Sequence, residues 1–281
     1  MKRIETIAQM KGECRQAQRG GRRLGFVPTM GALHEGHLSL VRSSKSRCDV
    51  TAVSIFVNPL QFGPSEDLAK YPRPLERDAR LLEELGVDLL FMPGVEEMYP
   101  RGAKTYVLVE GLSDRLDGAS RPGHFRGVTT VVAKLFEIVR PDYAFFGQKD
   151  AAQVAVLGKM VGDLDMDVEL VICPIVREAD GLAMSSRNVY LNAEQRQQAL
   201  VLYRSLMRVQ AAANAGERRT ANLIELGNQV IAGEPGARLD YFAIVNPATL
   251  EPVFDISSGA LVAVAACVGP TRLIDNILLV V

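Results

Sequence analysis

The stretch RLGFVPTMGALHEGHLSLVRSSKSRCDVTAVSIFVN, residues 23–58, decides the fold. RLGFVPTM (23–30) reads as a strand, HLSLVRSSKSR (37–47) as a helix, and VTAVSIFVN (50–58) as a second strand. The last is β-branched with no polar alternation, as expected of a central parallel strand covered on both faces. The same alternation continues to about residue 175. LERDARLLEELG (75–86) places Leu75, Ala79, Leu82 and Leu85 on one helical face, and Gly86 stops it. VDLLFMP (87–93), YAFFG (143–147) and VELVICP (168–174) read as further strands. FRGVTTVVAKLFEIV (125–139) and DAAQVAVLGKMVGDL (150–164) read as helices, with Asp150 an expected N-cap of the second. Such alternation predicts an α/β fold, a doubly wound, Rossmann-like parallel sheet.

Beyond about residue 190 the pattern changes. Two amphipathic helices are expected over 193–216 and 220–233, the second capped by Thr220. Strands are expected within RLDYFAIVNPATLEPV (238–253) and ALVAVAACVGPTRLIDNILLV (260–280), with NPAT and GPTR as turns. The expected division is therefore a first domain over 1–175 and a smaller α+β C-terminal domain over 176–281.

Composition narrows the classes of function. The chain has 281 residues, 48% of them apolar, which is enough for a sizeable core. A net charge of −1 gives no electrostatic case for nucleic acid or an anionic membrane as partner. No stretch approaches the roughly 20 apolar residues of a membrane span. The opening MKRIETIAQMKGE turns polar too early for a secretory signal. Cys14, Cys48, Cys173 and Cys267 are widely spaced and suit a reducing compartment, so the expected location is the cytoplasm.

HEGH holds two of the three histidines, His34 and His37. A zinc-protease pattern needs histidines four apart on a helix; these are three apart, with Gly36 between them. At a strand-to-helix turn, by contrast, glycine lets a ligand approach the backbone, and the helix start offers N–H groups and a positive dipole end to an anion. Two imidazoles there suit a polyphosphate. Taken alone, a turn carrying two solvated histidines explains the motif as well. No G-x-x-x-x-G-K-[ST] loop and no G-x-G-x-x-G occurs, so HEGH is the leading nucleotide site if one exists.

Four more segments carry chemistry. MSSRN (184–188) follows the turn EADG (178–181), and its two hydroxyls and a guanidinium can bind several phosphate oxygens. GQKD (147–150) closes a strand; Lys149 could reach a phosphate and Gln153 the same cleft. FVNPLQFGPSEDLAKYPR (56–73) brings the amides of Asn58 and Gln61 to another strand end. SRPGHFRGV (120–128) carries His124 beside Arg121 and Arg126. Each alone has a plain alternative as a solvated or turn-forming residue. Their shared position, at strand carboxyl ends or in loops before helices, is hard to ascribe to independent accidents.

Taken together, PTMGALHEGHLSLV, SIFVNPLQFGPSEDLAKYPR, RPGHFRGV, FFGQKD and VREADGLAMSSRN resemble the pantoate–β-alanine ligase family, in order and spacing, over nearly the whole chain. That family belongs to the HxGH nucleotidyltransferase superfamily, and MSSRN is similar to its KMSKS-like loop. The resemblance implies ATP, Mg²⁺, pantoate and β-alanine as ligands, a pantoyl-adenylate intermediate, release of pyrophosphate and AMP, and a homodimer. It implies an ATP site made of Met30, Gly31, Ala32, Leu33, His34, Glu35, Gly36 and His37, with Gly147, Gln148, Lys149, Asp150, Val176, Met184, Ser185, Ser186 and Arg187. Among these His34, His37, Lys149, Ser185, Ser186 and Arg187 would serve the chemistry, His37 as proton donor. Gln61 and Gln153 would hold pantoate, with Asn58, Tyr71, Arg121 and His124 near the substrates. The resemblance names no metal ligand. Leu60 and Pro74 sit where the family varies. The loop 61–73 is an expected lid over a cleft that must exclude water. The competing readings are another HxGH nucleotidyltransferase, a non-catalytic nucleotide-binding module, and a metal-dependent hydrolase.

Overall fold

The computed structural model describes residues 1–64 and 66–280. The chain forms two compact units that interleave along the sequence. The first comprises 1–113, 121–147 and 156–173; the second comprises 114–120, 148–155 and 174–281. The sequence suggested a single crossing at 175/176. Two short excursions, 114–120 and 148–155, belong instead with the C-terminal part.

The first unit is built on six parallel strands: β1 (Lys2–Ile4), β2 (Leu24–Thr29), β3 (Val50–Ile55), β4 (Leu89–Phe91), β5 (Tyr143–Gly147) and β6 (Glu169–Cys173). Their order is β1-β4-β3-β2-β5-β6. The chain therefore steps outward from β2 to β3 and β4, then returns to place β5 on the other side of β2. Strand order reverses at β2/β5, the position where open α/β sheets bind ligands. β2 pairs with β3 along its full length but with β5 only at Gly25 and Phe26. Pro28 has no N–H with which to extend that ladder. All of β3 but its last residue is buried, as its unbroken apolar run predicts.

The connections are helical: α1 (Ile7–Ala17), α2 (Glu35–Arg47), α3 (Leu75–Glu84), α4 (Val95–Met98), α5 (Asp117–Ser120, in the second unit), α6 (His124–Val139) and α7 (Ala151–Asp163). Val41 from α2 and Ala79 and Leu82 from α3 meet Val27, Val53, Leu90 and Phe145 of the sheet in one core. The sequence reading omitted β1 and α1. Only Ile4 of β1 is buried, and α1 buries just Met10, Cys14 and Ala17. Those three do recur at helical spacing after the N-cap Thr6, so a faint signal was present. The four cysteines are free, and burial pushes the Cys14 thiol up to about 12.

In the second unit, α8 (Ala193–Asn214) and α9 (Thr220–Ala232) pack on an antiparallel sheet of β7 (Ala237–Val245), β8 (Ala260–Val268) and β9 (Thr271–Leu279), in the order β7-β8-β9. Its core joins Leu202, Leu206 and Leu223 to Ile244, Val262 and Val264. Two expectations need correction. Thr220 is not the cap of α9: Arg219 holds that position, and the Thr220 hydroxyl donates instead to the carbonyl of Val253 at 2.7 Å. LEPV is not a strand; after the Asn246 turn, only Pro252 bridges back, to Val245. Among the described residues no helix is long and apolar enough to cross a membrane.

Candidate active site

In the first unit, β2 ends at Thr29 and the chain makes a tight turn before α2. Gly31 sits at φ +81° and Ala32 at +51°. A side chain on Gly31 would be disfavoured by that φ and would place its Cβ 3.0 Å from the Ile55 side chain. The turn is held from α3: Asp78, 1% exposed, accepts the Leu33 N–H at 3.0 Å through Oδ1. Burial raises the Asp78 carboxyl above its ordinary value, and the amides of Leu33 and Ala32 pull it back. Sequence reasoning missed this residue, because a lone Asp on an amphipathic helix reads as solvated.

The motif itself is a helix cap. His34 is the N-cap of α2, and its Nδ1 accepts the Gly36 N–H at 3.2 Å. His37 Nδ1 reaches back to accept the His34 N–H at 3.4 Å. This is a capping box with imidazoles in place of hydroxyl and carboxylate. With Nδ1 accepting, a neutral imidazole carries its proton on Nε2, so both rings are hydrogen-bond donors at Nε2. The ring centroids are 4.1 Å apart, at the positive end of a helix of 13 residues. Among the described residues no group of three or more His, Cys, Asp or Glu is placed to hold a metal ion.

A second cluster forms around Gln61. Asn58, 1% exposed, is occupied on every side. Its Nδ2 donates to Gln61 Oε1 and to the Gly127 carbonyl, each at 3.0 Å, and its Oδ1 accepts from Tyr99 at 2.9 Å and from the Leu60 amide at 3.3 Å. It therefore orients Gln61, whose Nε2 lies 3.0 Å from the Met30 sulfur. Gly127 explains the glycine of HFRGV: a Cβ there would run into the Leu60 carbonyl, so only glycine lets α6 approach this turn. His124 donates from Nδ1 to the Gln61 carbonyl at 2.8 Å and accepts from Arg121 at Nε2 at 3.0 Å. Arg121 forks onto Glu66 with two bonds of 2.7 Å. Burial works to raise the Glu66 carboxyl, but the hydrogen bond and charge of Arg121 outweigh it and hold it below its usual range. Arg121 and His124, read from sequence as candidate substrate contacts, thus support the Gln61 backbone and pin the loop 61–73. Ser65, within that loop, lies outside the described residues. Tyr71 is buried edge-on against Phe62, at 5.9 Å between ring centroids. Met30, Gly31, Phe56, Arg73 and Asp78 line a cavity of about 390 Å³.

The second unit holds the other two motifs. Gln148–Asp150 forms a short 3₁₀ turn ahead of α7, with Lys149 Nζ 3.4 Å from Asp150 Oδ1. Gln153, on the first turn of α7, is partly buried. Val176 and Met184 are brought together by a hairpin: the Val176 carbonyl accepts the Met184 N–H at 3.0 Å, and Arg177 bridges Ala183. This hairpin delivers Ser185, which caps the 3₁₀ helix Ser186–Tyr190 by accepting the Arg187 N–H at 3.2 Å. Asn188 donates to Glu178 at 3.1 Å and to the Ala183 carbonyl at 3.2 Å, closing the loop on itself. Sequence reasoning missed Arg177, Asp275 and Asn276. The Arg177–Asp275 pair is nearly buried, and Asn276 bonds to Gln148 and Lys149. Burial raises the Asp275 carboxyl, while the forked guanidinium of Arg177 favours its ionised form.

Residues 2–278 match the model of the family described as pantoate-beta-alanine ligase. The chain belongs to this family. It is 62% identical to the pantothenate synthetase of Koribacter versatilis, over 99% of this chain and 96% of that one. It is 61% identical to that of Acidobacterium capsulatum, covering 99% and 97%. Among solved structures, pantothenate synthetase from Thermus thermophilus superposes with a TM-score of 0.93 at 50% identity, covering 99% of each chain. Pantoate-beta-alanine ligase from Francisella tularensis, solved with beta-gamma ATP and beta-alanine, does so at 0.83 and 36%, covering 99% and 97%. Membership of the pantoate–β-alanine ligase family makes the chain an enzyme and a ligase, and it bears out the Rossmann-like expectation for the parallel sheet.

Proposed function

We propose that this ligase joins pantoate to β-alanine at the expense of ATP, through a pantoyl adenylate. A pantoate carboxylate oxygen attacks the α-phosphorus; the bond from that phosphorus to the bridging oxygen breaks, and pyrophosphate leaves. The β-alanine amine then attacks the acyl carbon of the mixed anhydride. A C–N bond forms, the C–O bond to phosphate breaks, AMP leaves, and the amine gives up a proton. No protein nucleophile is required, because such transfers depend on positioning and charge stabilisation.

The observation that carries this reading is the histidine capping box at the carboxyl end of β2. It holds two imidazole N–H donors beside the amides of a helix N-terminus, next to the sheet's reversal point, an arrangement whose charge suits a polyphosphate. The turn Met30–His37 would hold ATP, with His34 and His37 donating to phosphate and His37 protonating the leaving oxygen. Lys149, Ser185, Ser186 and Arg187 would stabilise the departing pyrophosphate, with Gly147, Gln148, Asp150, Val176 and Met184 completing the nucleotide contacts. Gln61 and Gln153 would hold pantoate, and Gln61 would also meet β-alanine. Asn58, Arg121 and His124 fit a supporting role behind Gln61, and Tyr71 one in the adjoining loop. Mg²⁺ would arrive on the triphosphate, since such ions are held mainly by substrate phosphates and water rather than by a protein cage. A homodimer in the cytoplasm completes the proposal.

Pantoate-dependent exchange of pyrophosphate into ATP tests it. Exchange should require pantoate, and AMP should appear only when β-alanine is added. Exchange supported by a phosphate-bearing acceptor instead would sink the reading in favour of another nucleotidyltransferase.

A further inference from the structure

Strand β9 carries two adjacent buried side chains, Asp275 and Asn276, that bond outside their own sheet. Asp275 is 4% exposed and Asn276 is 2% exposed. Asn276 commits its whole side-chain amide to the GQKD segment. Its Nδ2 donates to the carbonyls of Gln148 at 3.0 Å and Lys149 at 2.9 Å, and its Oδ1 accepts from Gln148 Nε2 at 3.0 Å. Three bonds thus fix the backbone that carries Lys149.

Asp275 serves a different segment. It takes the Arg177 guanidinium in a two-pronged pair at 2.6 and 2.9 Å, and its Oδ1 also accepts the Asn276 N–H at 2.8 Å. Arg177 in turn donates to the Gly181 carbonyl at 3.0 Å, and its guanidinium lies 4.5 Å from the Tyr203 ring centroid. This secures the turn between Val176 and Met184, which runs straight into Ser185–Arg187. Successive side chains of a strand point to opposite faces, so adjacent residues of β9 can serve two separate segments.

Stability alone is a weak reason for this arrangement. A nearly buried ion pair contributes little net stability compared with apolar residues of similar volume, because desolvation offsets the attraction. What such groups supply is a defined geometry, since removing any partner leaves a buried polar atom unsatisfied. Misplacing a transition-state donor by about 1 Å can cost on the order of 10²-fold in rate.

We propose that Asn276 and Asp275 are positioning residues for departure of pyrophosphate, Asn276 acting through Lys149 and Asp275 acting through Arg177 on the Ser185–Arg187 loop. The proposal rests on the roles assigned above to Lys149 and that loop.

A double-mutant cycle on the full-length protein tests it. Asn276→Ala should lower kcat about 10- to 100-fold while the KM values for ATP and pantoate move less than about threefold. In a Lys149→Ala background the same change should cost no more than about twofold, because the group it positions is gone. Amide hydrogen exchange over 148–155 should accelerate in Asn276→Ala whether or not chemistry is followed. Arg177→Lys keeps the charge but loses the fork, and it should lower kcat non-additively with Arg187→Ala. Leu279→Ala, on the same strand and buried in the core, should lower the melting temperature and leave kcat intact. Wild-type kcat in Asn276→Ala, full multiplication of the losses in the double mutant, or unchanged exchange over 148–155 would overturn the positioning role while leaving the ligase reading intact. A wild-type protein that makes no pantothenate from ATP, pantoate and β-alanine would sink the ligase reading and this role with it.

Discussion

The histidine turn and the lysine–serine segments are proposed to handle the same kind of group, yet they are held in opposite ways. The HEGH turn largely organises itself. His37 Nδ1 takes the His34 N–H and His34 Nδ1 takes the Gly36 N–H, all within four residues, and Asp78 adds a bond to the Leu33 amide from 45 residues away. GQKD and VREADG–MSSR depend on β9: Asn276 lies 128 residues from Gln148, and Asp275 lies 98 from Arg177. A motif that builds its own geometry can be recognised in a short window. One borrowed from a distant strand shows its reactive side chains in sequence but not what aims them.

The largest test of that contrast is chemical. Lys149→Ala and His34→Ala should each reduce kcat about 10²–10³-fold, by analogy with loss of an oxyanion donor. His37→Ala should lower kcat more than it weakens ATP binding, if its contact forms mainly in the transition state. Steady-state kinetics with varied ATP separates the two. If His34→Ala instead raises KM with kcat intact, the imidazoles bind the ground state and the contrast between the two regions weakens.

Next come the supports of Gln61. Asn58→Ala leaves Gln61 Oε1, the Gly127 carbonyl and the Leu60 amide without their partner, and should cost about 1–3 kcal/mol in chemical denaturation. It should also raise the KM for pantoate, since Gln61 loses its anchor. Gly127→Ala forces a methyl against the Leu60 carbonyl and should cost a comparable amount, about 1–3 kcal/mol. Equal stability of this variant and the wild type would mean that α6 can move away from the 59–61 turn at no cost.

The smallest effect is electrostatic. Glu66 has its carboxyl lowered in the fold by Arg121, so its contribution is present above the unfolded carboxylate value and is lost as pH falls through the lower folded value. Melting of Glu66→Gln should therefore lie below wild type at pH 7, and the gap should close as pH drops through the carboxylate range. A gap that persists in acid would assign the loss to packing instead. If the loop 61–73 closes over substrates, ATP with pantoate should protect it from proteolysis in the wild type, and unchanged cleavage would count against a lid.

Much of this molecule is legible without coordinates. The buried run of β3, the apolar faces of α3 and α6, and the two C-terminal helices all announce themselves through periodicity. β1 escaped notice because three residues with one buried side chain carry almost no pattern. Thr220 misled because a hydroxyl at a helix start reads as a cap, while here the nearby Val253 carbonyl claimed it.

The sequence by itself determined the alternation of strand and helix, the family, and the side chains available for chemistry, because these rest on local periodicity and on motifs within a few residues. Only the tertiary structure decided that both imidazoles serve as cap acceptors, that Asn58, Arg121 and His124 stand behind Gln61, that Asp78 holds the Gly31–Leu33 turn, and that β9 bonds the Gln148–Lys149 backbone and Arg177. The reason is physical. Buried polar groups must find partners, and which partners lie within about 3 Å depends on how distant segments pack.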